Sequence, residues 1–167
     1  PMDNKKFILH RTVYDWLLEA IAFLGMASTV IPACYMGKSA NPTPVHFNFR
    51  GEPDAWGNAS ELEHLAIISI IFYILLTAIE FVYPIFNSLT GSTEKNVLLV
   101  KRAQIRLIRH LKALTTLMTA NLAVSSLLIS AGKTSNLAPY ALPLSMALLT
   151  GLLIYYILKI YRLHNKT

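Results

Sequence analysis

The sequence predicts an all-α integral membrane protein with four transmembrane helices, both termini in the cytoplasm and an ordered outer loop between helices 1 and 2. Three observations predict this class. Only 14% of the 167 residues are charged, apolar stretches recur along the chain, and Lys and Arg cluster in alternate connections. Soluble domains carry about 25% charged residues, and one of this size cannot hide so much apolar surface. Met2 is the expected natural start, so we expect a single four-span domain at 2–167.

Four apolar segments of about 20 residues can each cross the hydrocarbon core as a helix. They are the ranges 16–37, 65–86, 113–132 and 138–158. The first holds Glu19 and the second is interrupted only by Glu80, whereas the third and fourth carry no formal charge. None shows the polar face that a helix of a soluble bundle needs, and this favours membrane spans.

Positive charge predicts the orientation of these spans. Twelve Lys and Arg residues lie in the N-terminus, the 87–112 connection and the C-terminus, and only Lys38, Arg50 and Lys133 lie on the opposite side. The positive-inside rule then places both termini in the cytoplasm. This placement explains the net charge of +6 without a nucleic-acid partner, because a DNA-binding surface would need a solvated domain.

The basic connection 87–112 has a composition that favours a helix. Its basic residues alternate with apolar ones, as in an amphipathic helix on an anionic membrane surface or a cytoplasmic extension of the third span. A docking surface for a soluble regulator is the functional alternative.

The outer loop at 38–64 is the longest hydrophilic segment, and it starts with a strict alternation. From 45 to 50 the pattern predicts an extended segment with Val45, Phe47 and Phe49 on its buried side. The following Gly51-Glu-Pro-Asp54 is typical of a turn, which would bring Asp54 back toward His46. We expect Asn48, Gly51 and Asp54 to shape the loop, because Asx side chains close turns on their own backbone and glycine has torsional freedom.

The same loop carries residues at fixed spacing, Pro44-x-His46-Phe47-Asn48-x-x-Gly51-x-x-Asp54-x-Trp56-Gly57. Placed between two spans, this motif resembles the signature of a bacterial membrane domain of unknown function that is best known from the SdpI-like immunity proteins. The resemblance covers about 20–86, and this chain has Ala59 where family members often have a lysine.

The resemblance implies a small polytopic protein of the bacterial cytoplasmic membrane. In one branch of the family it implies immunity to a peptide toxin, with sequestration of a repressor at the membrane. This chain is shorter than the six-span immunity form.

These features favour a non-enzymatic protein that binds a peptide or amphiphile on the outer side, for immunity or signal relay. The expected binding residues are Pro44, His46, Phe47, Asn48, Gly51, Asp54, Trp56 and Gly57. One alternative is a small metal- or acid-assisted membrane enzyme centred on His46 and Asp54. We rank it second because no paired nucleophile and base is visible. The other is an accessory or transporter-like subunit.

No cofactor is expected from the sequence. If a metal ion binds, its ligands are expected to be His46, Asp54, Glu61 and His64, two nitrogens and two carboxylates that suit zinc or a similar ion. Their spacing is not diagnostic, because the chain lacks a His-Glu-x-x-His pair and has one cysteine.

Polar groups inside the spans are candidate functional residues, because they are costly there. They are Glu19, Glu80 and Asn121. Glu19, with Asp15 four residues earlier, is expected near the cytoplasmic interface. Glu80 is expected at the depth of Arg106, Arg109 and His110, where an ion pair that orients the helices is favoured over a proton relay. Asn121 is expected to make interhelical hydrogen bonds.

Two stripes of small residues predict close helix approach. Gly25, Thr29 and Ala33 form one, and Ala147 and Gly151 form the other. Such stripes pack helices within one chain or between copies of it, so the sequence alone allows either a monomer or a homo-oligomer.

Overall fold

The computed structural model describes residues 11–36, 42–86, 94–137 and 140–164. In chain order its elements are α1 (Val13–Met36), β1 (Thr43–Phe47), β2 (Pro53–Gly57), α2 (Glu61–Phe86), α3 (Glu94–Ser130) and α4 (Ala141–His164). All four helices are long and apolar enough to cross a membrane. The chain therefore has the four apolar helices that the sequence predicts, and a lipid bilayer is the environment that they suggest.

All four helices extend beyond the predicted spans. α1 begins at Val13 rather than 16, α2 begins at Glu61 rather than 65, α4 continues to His164 rather than 158, and α3 is a single helix of 37 residues. The apolar windows stop at charged residues, whereas Lys, Arg and Glu favour continuation of a helix. The described part of the basic connection is thus an extension of the third span. The expected span limits at Gly37 and 138, and the 87–93 part of the connection, lie outside the described residues.

The close approach of α1 and α3 depends on small residues. A Cβ added at Gly25 would lie 2.8 Å from Thr116 Oγ1 and 2.9 Å from the Thr116 backbone carbon. Around Gly151 of α4, by contrast, an added Cβ meets nothing within 4 Å. The Gly25 stripe therefore packs inside the chain.

Hydroxyl groups connect three helices near the middle of the bundle. Thr119 Oγ1 of α3 lies 3.0 Å from Thr29 Oγ1 of α1 and 3.1 Å from Ser69 Oγ of α2. Among the described residues Asn121 shows no interhelical hydrogen bond of the expected kind, and its Oδ1 accepts from Ser125 Oγ of the same helix. Threonine makes the interhelical bonds instead, since its short side chain lies where the backbones are closest.

The two strands form an antiparallel hairpin with register shifts between Pro44 and Phe47. This hairpin packs on the end of the bundle where α3 ends and α4 begins, which we call the hairpin end. The opposite end holds Arg11, Arg106 and Arg109 and is called the basic end. The predicted ordered loop is thus a small sheet.

Candidate functional site

The hairpin is closed by a turn that Asn48 and Gly51 shape. Asn48 Oδ1 accepts hydrogen bonds from the backbone N–H groups of Arg50 and Glu52, at 2.8 and 3.1 Å. Gly51 has a φ of 81°, in the left-handed region that glycine adopts without strain. Both residues therefore shape the turn as expected. The turn lies at 48–52, and Asp54 belongs to β2, not to the turn as predicted.

Other motif residues attach the hairpin to the bundle. The Leu137 N–H donates to the Gly51 carbonyl at 2.7 Å, and Ser126 Oγ donates to the Pro44 carbonyl at 3.0 Å. Phe47 packs with Ile129 and Leu137 in a buried cluster. These contacts fix the hairpin on the end of α3 and on the segment that follows it.

The predicted alternation of the strand is wrong at Val45 and at Phe49. Val45 is exposed, and Phe49 is 72% exposed in the turn, so only Phe47 of the three aromatic and aliphatic side chains is buried. The register shifts break the period of two, because an irregular pair moves the following side chains out of alternation. Gly57 keeps the strands close, since a Cβ there would lie 3.0 Å from Val45 Cγ1.

Three motif residues point away from this packing. His46 Nδ1 lies 2.6 Å from Asp54 Oδ1, with the two side chains 69% and 43% exposed, and Trp56 is exposed as well. The predicted approach of Asp54 to His46 is confirmed. Because a carboxylate only accepts, Nδ1 carries the proton of this bond, and Nε2 of a neutral imidazole is an acceptor.

A groove of about 410 Å³ runs beside His46, between β1 and the helices α2, α3 and α4. His46 and Glu61 lie at its polar part, and Leu65, Ile68 and Leu122 belong to its apolar wall. Ile68 and Leu122 also line a second cavity of about 220 Å³ between α2 and α3, which is almost entirely apolar. The two cavities are thus adjacent, the first with polar side chains in its lining and the second almost entirely apolar.

The four candidate metal ligands fall into two pairs. His46 contacts Asp54, and His64 Nδ1 lies 3.4 Å from Glu61 Oε2 one helical turn away. Within the described ranges no group of three or more His, Cys, Asp or Glu side chains is placed to hold a metal ion. The arrangement in these ranges provides two-residue sites at most.

A buried ion network lies toward the basic end. Glu80 accepts from Arg109 at 2.6 Å and from Arg11 at 3.0 Å, and Asp15 lies 2.7 Å from Arg109. The predicted ion pair of Glu80 is therefore confirmed with Arg109. Arg106 instead faces Asp15 at 3.5 Å. The network joins α1, α2 and α3.

Lys112 completes this network, and its contacts contradict two predictions. Its Nζ lies 2.6 Å from Glu19 and 3.5 Å from Glu80, and its side chain is completely buried. Glu19 also accepts from the Tyr73 hydroxyl at 2.6 Å. Glu19 is thus paired inside the bundle rather than extended to the interface, and Lys112 does not belong to a solvated connection.

Sequence reasoning missed Asp15 and Lys112 as members of the network. A signal was present, because Asp15 and Glu19 are four apart and Arg109 and Lys112 are three apart. These spacings place each pair on one helix face.

Comparisons with protein-family models, with curated proteins and with solved structures found no match to this chain.

Proposed function

We propose that this chain is a non-enzymatic, multi-pass protein of the bacterial cytoplasmic membrane, of the SdpI-like type. It binds a peptide or amphiphile in the groove at the hairpin end, for immunity or signal relay. The observation that carries the proposal is the groove itself, with a polar mouth at His46 and Glu61 and an apolar wall between α2 and α3. Such a site suits a molecule with one polar and one apolar part.

The roles of the motif residues support this proposal. Pro44, Phe47 and Gly51 attach the hairpin to the bundle, and Asn48 closes its turn. In the part of the chain that the structure describes, the hydrogen bond of His46 goes to Asp54 of the same hairpin, and His46 stays exposed beside the groove. A rigid support for exposed polar groups is what a binding surface requires, since ordering them beforehand lowers the cost of binding.

The charge distribution supports an orientation in which the hairpin end is outside and both termini are inside. Among the twelve residues on the basic side, Lys101, Arg109 and Lys112 are buried. Without these three, nine Lys and Arg residues remain on the side of the termini and three lie on the opposite side, so the bias persists. The helical extension of α3 then lies at the cytoplasmic surface, where we propose that a soluble regulator docks.

Photolabelling tests the binding proposal. A photoactivatable alkyl amphiphile added to membranes should label residues beside the groove and compete with unlabelled amphiphile. Leu65→Trp, which fills the groove, should lower this competable label several-fold, and Ile154→Trp on the exposed face of α4 should leave it unchanged. Equal competable labelling of wild type and Leu65→Trp would contradict the proposal.

A second candidate, an acid-assisted enzyme, is favoured by one observation. The contact of 2.6 Å between His46 Nδ1 and Asp54 Oδ1 is the arrangement in which a carboxylate orients a general base. Mass spectrometry of amphiphile recovered from the protein distinguishes the two functions. A product that wild type forms and His46→Ala does not would favour the enzyme, and unchanged amphiphile favours the binding protein.

A further inference from the structure

The polar atoms at the mouth of the groove are hydrogen-bond acceptors. His46 Nδ1–H donates a hydrogen bond to Asp54 Oδ1, so Nε2 of a neutral imidazole is an acceptor. Glu61 offers a carboxylate, whose Oε2 has His64 Nδ1 at 3.4 Å. The third polar side chain of the lining, Ser126, already donates its proton to the Pro44 carbonyl. A ligand that binds here must therefore supply the donors.

Formal charge near the groove points the same way. No Lys or Arg occurs among the described residues that line it. The described segments 42–64 and 131–137 contain four acids and two bases, which are Glu52, Asp54, Glu61, Glu63, Arg50 and Lys133. The described lining of the groove lacks the cations that a phosphate or sulfate head group needs, and it favours a positively charged group.

The apolar part of the groove suits an alkyl chain. Leu65, Ile68 and Phe72 follow one another at spacings of three and four on α2, so they share one helix face. Glu61 and Phe72 are eleven positions apart, which corresponds to about 16 Å along the helix. Met118 and Leu122 of α3 form the facing wall. A dodecyl chain is comparable with this length.

We infer that the groove selects cationic amphiphiles. The ammonium group donates to the Glu61 carboxylate and to His46 Nε2, and the alkyl chain lies between α2 and α3 as far as Phe72. This inference rests on the proposed binding function and specifies the chemical class of its ligand. It assigns to Glu61, which lies outside the motif at 44–57, the role of selecting the charge of the ligand's head group.

Calorimetry with matched probes tests the selection. Dodecylammonium, dodecyl sulfate and neutral dodecyl maltoside have the same chain and different charges. Each is titrated into the protein in phosphatidylcholine nanodiscs, at about pH 8, above the usual titration range of histidine, with empty nanodiscs subtracted. We expect saturable binding with a Kd for dodecylammonium about tenfold below that for dodecyl sulfate, as a charge-assisted hydrogen bond provides.

Matched variants separate the site from general surface charge. Glu61→Gln should raise the Kd for dodecylammonium about tenfold. Glu63→Gln removes the same charge two residues away, outside the groove lining, and should leave the Kd unchanged. Equal effects of the two variants would overturn the inference.

The uncharged and anionic probes distinguish two kinds of failure. One failure is that dodecyl sulfate or dodecyl maltoside binds saturably and as tightly as dodecylammonium, and that Leu65→Trp abolishes this binding. This result would overturn the selection of cationic ligands while supporting the binding function. Absence of saturable binding for all three probes would overturn both.

Discussion

The attachment of the hairpin through Gly51 can be tested with a pair of glycines. A Cβ at Gly51 would lie 2.9 Å from the Leu137 carbonyl oxygen and 3.1 Å from Leu137 Cβ, at a φ of 81°. Gly132 has a similar φ of 67°, but a Cβ there meets nothing within 4 Å. Alanine at either position costs about 1–2 kcal/mol for the left-handed backbone. Gly51→Ala alone adds the steric conflict, worth about 1–3 kcal/mol.

Hydrogen exchange measures this difference locally. A loss of about 2 kcal/mol in the free energy of opening corresponds to about thirtyfold faster exchange. We expect this acceleration in Gly51→Ala at the Leu137 amide, which donates to the Gly51 carbonyl, and in peptides of the hairpin. Gly132→Ala should leave exchange in the hairpin near the wild-type rate. Equal acceleration in the two variants would refute the attachment, because strain alone would then explain it.

Three further substitutions test the packing, the ion network and the turn. Gly25→Ala should destabilise the bundle by about 1–3 kcal/mol in thermal unfolding, because α1 must move away from α3. Gly151→Ala should be neutral or slightly stabilising. A larger loss of stability in Gly151→Ala than in Gly25→Ala would contradict the close contact of α1 and α3. Lys112→Met should cost about 3–5 kcal/mol, since it removes the buried cation that pairs with Glu19. Lys133→Met, at an exposed site, should stay within about 0.5 kcal/mol; similar melting temperatures would argue against a buried Lys112. Asn48→Ala removes the oxygen that accepts two backbone hydrogen bonds in the turn. It should lower the free energy of opening of the hairpin, measured by hydrogen exchange, by about 1 kcal/mol, and an unchanged exchange rate would exclude that role.

Apolar length predicted the number and approximate positions of the helices, because the bilayer sets a minimum span. It did not predict the helix ends, since Glu61 and the basic residues of α3 continue helices beyond the apolar windows. The turn residues Asn48 and Gly51 were predicted because their roles are local. Asn forms bonds with its own backbone, and glycine adopts a positive φ.

Local sequence patterns did not predict the tertiary features of the site. The register shifts of the hairpin depend on how β1 pairs with β2, and the burial of Lys112 depends on Glu19 and Glu80 from other helices. Glu61 was considered only as a metal ligand. Its place at the mouth of the groove follows from the way residues of β1, α2, α3 and α4 come together around one cavity, which spacing along the chain does not contain.

The central claim is that an amphiphile binds in the groove with its chain between α2 and α3. The most direct measurement is paramagnetic broadening of a fluorine label by a spin-labelled alkylammonium, in a Cys34→Ser background. Leu122→Cys places the label where the two cavities meet, and Ile154→Cys places it on the exposed face of α4. Broadening that saturates at position 122 and rises only linearly at position 154 is the predicted result. Linear, equal broadening at both positions would contradict the account.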